Sequence, residues 1–363
     1  RAHANAAYAA IFGQLDYLEA QRHVDALQAR PIDLEGQISS AYYGGLLAHQ
    51  IGRFDEALAS LEHAGELAER AHHTSYLGSI IAEQAVVLAE LGRFDEAEAL
   101  AHEATTKLAP DDPLLTSIQH EATWVRILHR EDEPGLPDPS GTLQALLEHA
   151  DLTDADANKY RLNLAIAASQ SNDHERAARV LVPLDRAQLN RQEQVFFELV
   201  KARIAHHAGE LPLAREHLER GRLLAELVGH EAFLLRVRLA RAWLEREAGD
   251  RAAARREHEL AEALEDRLAL GIGAQLGRST FSTARRHDRA AHVELLLELG
   301  DRTAALCTVL GARARHLRSL SVRHGAAPVD PTRRDRQREL LLRHAELRDQ
   351  LEQRRRDDWK LSV

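Results

Sequence analysis

The feature that most constrains the fold is a six-residue sequence that occurs twice, forty residues apart. Gly-Arg-Phe-Asp-Glu-Ala stands at 52–57 and again at 92–97. An identical sequence at this separation indicates an array of units, each packed against the next. In each copy, glycine can end one helix in the left-handed conformation. Asp and Glu then fall in the first turn of the next helix, where carboxylates are favoured. The repeated unit is therefore predicted to be a helical hairpin.

Small residues stand at fixed distances from each glycine: seven before it, five after it and twelve after it. In the two copies these residues are Gly45, Ala57 and Ala64, then Ala85, Ala97 and Ala104. Turns of the same form recur at Asn172, Gly209, Gly249 and Gly300. The pattern resembles the tetratricopeptide repeat, with a period near forty. The resemblance implies an all-α, right-handed superhelical solenoid in which the first helix of each hairpin lines a concave groove.

The same register divides the chain. Residues 1–305 are predicted to form seven or eight helix pairs, irregular near 131–141 and 271–282. Residues 306–363 are predicted to form a long, charged helical hairpin, because arginine alternates there with Asp, Glu and a leucine stripe. Contacts are expected chiefly between neighbouring hairpins.

Composition excludes several functions. A net charge of −10 argues against a nucleic-acid platform, and no apolar run has the length of a membrane span. A single cysteine, Cys307, excludes an internal disulfide and is consistent with a reducing cytoplasm. The sequence shows no signal peptide. We therefore expect a cytoplasmic protein that does not engage membranes.

The sequence offers no recognisable active site. The 21 histidines include adjacent pairs such as His72-His73 and His206-His207, and adjacent helical residues point in different directions, so neither pair chelates a metal alone. No phosphate-binding glycine loop or nucleophile motif occurs. Cys307 lies in an apolar helical setting, which predicts a buried structural thiol. We expect neither catalysis nor a metal or cofactor.

The tetratricopeptide resemblance implies which residues line the groove. Its register assigns the following polar and aromatic residues to the first helices: Tyr42, His49, Gln50, Glu90, Lys159, Gln170, Arg203, His206, His207, Arg236, Trp243 and Arg246. The early part of this set is neutral to acidic, and the later part is basic. We expect a protein or peptide partner, with the later part suited to an acidic segment.

The carboxy-terminal residues carry a second resemblance. The sequence Leu-Glu-Leu-Gly-Asp-Arg-Thr-Ala-Ala at 297–305 leads into an Arg/Glu/Leu segment that ends near Trp359. This is similar to the segment that joins tetratricopeptide arrays to the caspase-like domain of bacterial CHAT proteins. It implies a scaffold that binds a partner and regulates an attached protease domain following this chain. The alternative is the ligand-sensing repeat region of a LuxR-type transcription regulator.

Overall fold

The computed structural model describes residues 2–14, 17–29, 33–148, 152–272 and 278–323, and every regular element in these ranges is helical. The α-helices of this part are α1 Ala2–Tyr8, α2 Tyr17–Gln28, α3 Leu34–Gln50, α4 Phe54–Arg70, α5 Thr74–Glu90, α6 Phe94–Thr106, α7 Leu115–Asp132, α8 Ser140–Leu147, α9 Asp154–Gln170, α10 His174–Leu181, α11 Arg191–His207, α12 Leu211–Val228, α13 Glu231–Glu247, α14 Arg251–Gly271, α15 Arg278–Thr283, α16 Arg286–Glu298 and α17 Arg302–Arg323. A π-helical segment, Ala9–Gln14, follows α1, and a 3-10 turn, Arg186–Gln188, precedes α11. The predicted all-α class is confirmed.

Consecutive helices pair into hairpins, as the repeat predicts. Gly52 and Gly92 have φ of +76° and +73°, which places both in the left-handed conformation. The residue after each glycine donates its backbone N–H to the carbonyl of a residue in the preceding helix, Arg53 to Ala48 at 2.8 Å and Arg93 to Leu88 at 2.9 Å. These bonds satisfy carbonyls that the end of a helix leaves unpaired. The glycine turn therefore ends one helix and sets the direction of the next.

Helix pairs approach closely at the small residues. Ala57 and Ala97 are completely buried. A Cβ atom added at Gly45 would lie 2.7 Å from Cγ of Leu61 in the facing helix, so only hydrogen fits there. The spacing of small residues thus matches the places where helix backbones cross.

Within the unit of residues 1–316, the described residues also make contacts between hairpins that are distant in sequence. Phe281 is completely buried in the same apolar cluster as Ile38 and Phe54. The Thr280 hydroxyl donates to the backbone carbonyl of Leu91 at 2.9 Å. Contacts between neighbouring hairpins are therefore supplemented by a contact between α15 and the turn that follows α5.

The two irregular regions have different structures. Near 131–141, α7 continues to Asp132, and a loop then leads to the short α8. Near 271–282, α14 ends at Gly271 and α15 begins at Arg278. The second helix of the predicted carboxy-terminal hairpin lies outside the described residues. No helix in the described part is both long and apolar enough to cross a membrane.

Candidate functional site

A cavity of about 490 Å³ lies on the face formed by the first helices of the hairpins. Its walls come mainly from α5, α7, α9, α11 and α13. Phe94 of α6, His174 of α10, and Ala284, Arg285 and Asp288 around the start of α16 complete them. The volume is within the range of about 300–1,000 Å³ that is usual for ligand sites. The cavity is therefore the candidate functional site.

Helical periodicity explains how α11 and α13 contribute to it. Residues three, four and seven positions apart share one face of a helix. The lining side chains of the two helices follow this spacing: Phe196, Leu199, Val200 and Arg203 from α11, and Leu235, Arg236, Leu239, Ala240 and Trp243 from α13. Most are apolar, and the charged groups stand among them. The site is amphipathic.

Four guanidinium groups and four carboxylates line the cavity. The arginines are Arg130, Arg203, Arg236 and Arg285, and the acids are Glu90, Glu131, Asp132 and Asp288. The sequence predicts a basic character for this part of the groove. The structure adds carboxylates from the end of α7 and from α16, so the fixed charges balance in number.

Three of these arginines are engaged by the protein. Arg236 forms an ion pair with Glu131. Arg130 donates to the carbonyl of Leu136 at 3.1 Å and to Ser171 at 2.9 Å. The guanidinium of Arg285 lies 3.8 Å from the centre of the Phe281 ring and donates to the carbonyl of that residue.

Arg203 differs from the other three. Within the described residues its guanidinium forms neither a hydrogen bond nor an ion pair. Its side chain is exposed to the cavity, yet the surrounding protein removes enough water to lower the pKa of Arg203 by desolvation. Arg203 therefore presents hydrogen-bond donors that a ligand can use.

Other lining residues carry buried polar atoms that lack a hydrogen-bond partner among the described residues. They are Asp132 Oδ1, Ser169 Oγ, Gln170 Oε1 and His174 Nδ1. Oδ1 of Asp132 lies 3.8 Å from Nδ1 of His287, which is too long for a hydrogen bond. Buried polar groups are normally paired, and unpaired ones require an explanation.

Several residues that the repeat register assigns to the groove come together here: Glu90, Gln170, Arg203, Arg236 and Trp243. The rings of His206 and His207 lie beside this set. His206 packs edge-on against Trp243 with 4.6 Å between ring centres, and His207 lies 4.8 Å from His174.

The remaining residues of the predicted set lie elsewhere. Arg246 binds Glu298 at 2.6 Å and Glu294 at 3.4 Å on α16, so its charge is neutralised outside the cavity. Gln50 accepts a hydrogen bond from Gln192. Tyr42 packs against Tyr43 and Tyr76, His49 is buried between Glu83 and Glu90, and Lys159 lies near Glu121 and Glu193.

Sequence reasoning missed the residues that the irregular regions supply. Glu131 and Asp132 end α7, where the sequence predicts a loop, and Arg285 and Asp288 follow a stretch that the repeat register does not cover. Ser169 stands three residues before its turn, as Ala89 does in α5. Because Ala89 also lines the cavity, this shared position is the signal that could have identified Ser169.

The prediction for Cys307 is wrong. Its apolar setting predicts a buried thiol, but Cys307 is exposed. Helix α17 buries Ala305, whereas the neighbouring Leu306 and Leu310 are more than half exposed, so the apolar residues on both sides of Cys307 do not enclose it. Cys307 does not line the cavity. Among the described residues, no group of three His, Cys, Asp or Glu side chains could hold a metal ion.

No protein-family model and no curated protein matches the chain. Among solved structures, the chain is similar to a Rap protein complexed with Competence and Sporulation Factor. Identity is 13%, the match covers 83% of this chain and 81% of that one, and the TM-score is 0.57. A tetratricopeptide repeat protein from Parabacteroides merdae matches at 14% identity over 78% of this chain and 97% of its own, with a TM-score of 0.42.

Identity at this level is informative about the fold alone. The CHAT resemblance of the carboxy-terminal residues is not reproduced in these matches. The chain has the fold of the tetratricopeptide-like helical repeat proteins.

Proposed function

We propose that this protein is an interaction scaffold that binds a peptide segment of a partner in the cavity between α5 and α13. The observation that carries the proposal is that two suitable residues line the same cavity. Arg203 has a guanidinium without a partner among the described residues, and Trp243 is 44% exposed. Exposed aromatic side chains and arginine are the residue types that most often supply binding energy at interfaces.

A peptide fits this lining better than a uniformly polar metabolite. Phe196, Leu199 and Leu239 offer an apolar floor, and charged groups stand around them. A peptide presents apolar side chains and carboxylates at short, regular intervals, so it can satisfy both kinds of surface. The Rap protein of similar fold is complexed with Competence and Sporulation Factor, which supports ligand binding by analogy of fold.

A bead-bound library of random seven-residue peptides tests the proposal. We expect the purified chain to select peptides in which an acidic group lies next to an aliphatic or aromatic residue. Arg203→Met and Trp243→Ala should each weaken binding of a selected peptide by about thirtyfold or more, because hot-spot truncations cost about 2 kcal/mol or more.

The matched control is Arg126→Met. Arg126 is also an exposed arginine on a first helix, and within the described part it forms no hydrogen bond or ion pair, but it does not line the cavity. Its replacement should leave peptide binding unchanged. Failure of the library to yield any peptide whose binding requires Arg203 or Trp243 would refute the proposal.

The finer hypotheses concern what the scaffold controls. An attached caspase-like protease domain and, as the alternative, a LuxR-type regulator remain predictions. The coding sequence beyond Val363 distinguishes them, because the first requires a protease domain there and the second a helix-turn-helix.

A further inference from the structure

The end of α9 holds a group of polar atoms whose hydrogen bonds are incomplete. Ser169 is 3% exposed and lines the cavity, and its hydroxyl has no partner among the described residues. A helical serine that is not solvated can donate to the carbonyl four residues earlier. Ser171, directly after α9, makes this bond, and its hydroxyl lies 3.1 Å from the carbonyl oxygen of Ala167. Ser169 is buried and does not make this bond, so its hydroxyl is available to a ligand.

The orientation of Gln170 is fixed by the protein. Its amide nitrogen Nε2 donates to the carbonyl of Ile127 at 3.1 Å. Because only the nitrogen of the amide can donate to a carbonyl, this bond fixes which end is Nε2 and which is Oε1. Oε1 is then a buried acceptor without a partner in the described part of the chain. Gln170 also lines the cavity. An N–H group of a ligand would complete its hydrogen bonding.

Arg203 and His174 line the same cavity. The guanidinium of Arg203 has no partner in the described residues, and it lies near enough to His174 to lower the pKa of that residue. Burial, and then the nearby His207 and Arg203, lower the pKa of His174, so this imidazole is neutral at pH 7. The fixed positive charge of the group therefore belongs to Arg203.

We propose that Ser169 and Gln170 at the end of α9, together with Arg203 of α11, form a subsite for a carboxylate that has an amide N–H beside it. Arg203 and Ser169 donate to the carboxylate, and Gln170 accepts from the N–H. The inference rests on the proposed peptide-binding function and adds which ligand atoms this part of the cavity binds. Sulfate fits less well, because it offers no donor to Gln170 at neutral pH.

Two sources within a peptide have this chemistry. One is the terminal carboxylate of the last residue, and the other is an aspartate side chain. Four fragments separate these sources and test the need for each group. N-acetyl-leucine carries a terminal carboxylate, N-acetyl-aspartic acid α-amide carries a side-chain carboxylate, N-acetyl-leucinamide has no carboxylate, and 4-methylpentanoic acid has no N–H.

The experiment is an NMR titration of the full chain with each fragment, following the signals of Ser169, Gln170 and Arg203. We expect one of the two amide-bearing acids to bind about tenfold or more tightly than N-acetyl-leucinamide, since charge-assisted hydrogen bonds are roughly twice as strong as neutral ones. The tighter of the two acids identifies the source. 4-Methylpentanoic acid should bind more weakly than N-acetyl-leucine if the source is terminal.

Variants assign the effect to the subsite. Arg203→Met should weaken the better acid by about ten- to a hundredfold, and Ser169→Ala by several-fold, whereas Arg126→Met should not change it. Equal binding of N-acetyl-leucinamide and both acids would overturn the subsite, even if peptides still bind in the cavity. Tight, Arg203-dependent binding of an acid fragment together with an unproductive peptide library would instead retain the subsite and refute the peptide function.

Discussion

His49 shows how a single buried residue joins two neighbouring hairpins. Its Nδ1 lies 2.6 Å from Glu83 and its Nε2 lies 3.7 Å from Glu90, which joins α3 to α5. The repeat register predicts His49 as a groove residue. In the structure it is a buried cation between two carboxylates beside the cavity.

The charge of His49 should make stability depend on pH. Burial opposes its charge, but the hydrogen bond with Glu83 and the nearby carboxylate of Glu90 raise the pKa of His49 from 6.5 to about 10. Because the folded pKa is the higher one, this contribution is complete below pH 6.5 and is lost as pH rises to about 10. Burial likewise opposes ionisation of Glu90, but His49 lowers its pKa to about 2. That contribution is complete above pH 4.5 and is lost as pH falls toward 2.

We therefore predict that His49→Leu costs about 3–5 kcal/mol at pH 6, because it leaves two buried carboxylates without their cation. The cost should shrink by pH 10. Urea unfolding at the two pH values measures it. His63→Leu is the control, since His63 is 63% exposed and lies 3.9 Å from Glu66 on the surface. An equal loss for His49→Leu at both pH values would contradict the assignment of charge.

At the scale of helices, two adjacent glycines of α3 have opposite roles. A Cβ at Gly45 would lie 2.7 Å from Leu61 Cγ and 3.3 Å from the carbonyl oxygen of Ala57. A Cβ at Gly44 would meet only Val24, at 3.8 Å, which is an ordinary contact. Gly45 is therefore required by the crossing of α3 and α4, whereas Gly44 is not.

Replacing each of these two glycines by alanine should change the stability in opposite directions. Gly45→Ala should destabilise the protein by about 1–3 kcal/mol through overpacking. Gly44→Ala should stabilise it by up to about 1 kcal/mol, because alanine favours the helix. Chemical denaturation of both variants against the wild type measures the difference. The same sign for both would show that helix propensity, and not the crossing, decides.

The hairpins could be predicted from the sequence because their causes are local. Gly52 and Gly92 end helices through their own backbone conformation, and Gly45 and Ala97 mark crossings by their size. The same register assigns Arg203 and Trp243 to the faces of α11 and α13 that line the cavity. Residues such as Glu131 and Asp288 could not be found in this way, because they reach the cavity through irregular segments without a period.

At the scale of the unit formed by residues 1–316, the two copies of the repeated turn have different surroundings. A Cβ at Gly92 would lie 2.6 Å from Cβ of Ala284 and 2.7 Å from the carbonyl oxygen of Thr280, whereas one at Gly52 would meet nothing within 4 Å. The sequence could not distinguish the two turns, because their six residues are identical. The difference arises only from α15, which packs against the second copy.

Gly92→Ala and Gly52→Ala form a matched pair for this contact. Both replacements should cost about 1–2 kcal/mol for the left-handed conformation. Gly92→Ala should cost more, because its Cβ meets a backbone atom of Thr280. It should also increase hydrogen exchange in α15 and α16, whereas Gly52→Ala should leave exchange there unchanged. Equal exchange in the two variants would show that this contact does not hold the cavity wall in place.

The bond between Thr280 and Leu91 has a consequence for biosynthesis, because it spans 189 residues. Closing a segment of that length costs about 1.3 kcal/mol more in chain entropy than closing a forty-residue hairpin, so the hairpins should form first. At about 5–20 residues per second, a ribosome needs roughly 10–40 s to reach Thr280 after it has added Leu91. During that interval the early hairpins can fold, but the cavity lacks one wall. A partner that needs Arg285 and Asp288 therefore cannot bind until the ribosome has passed these residues.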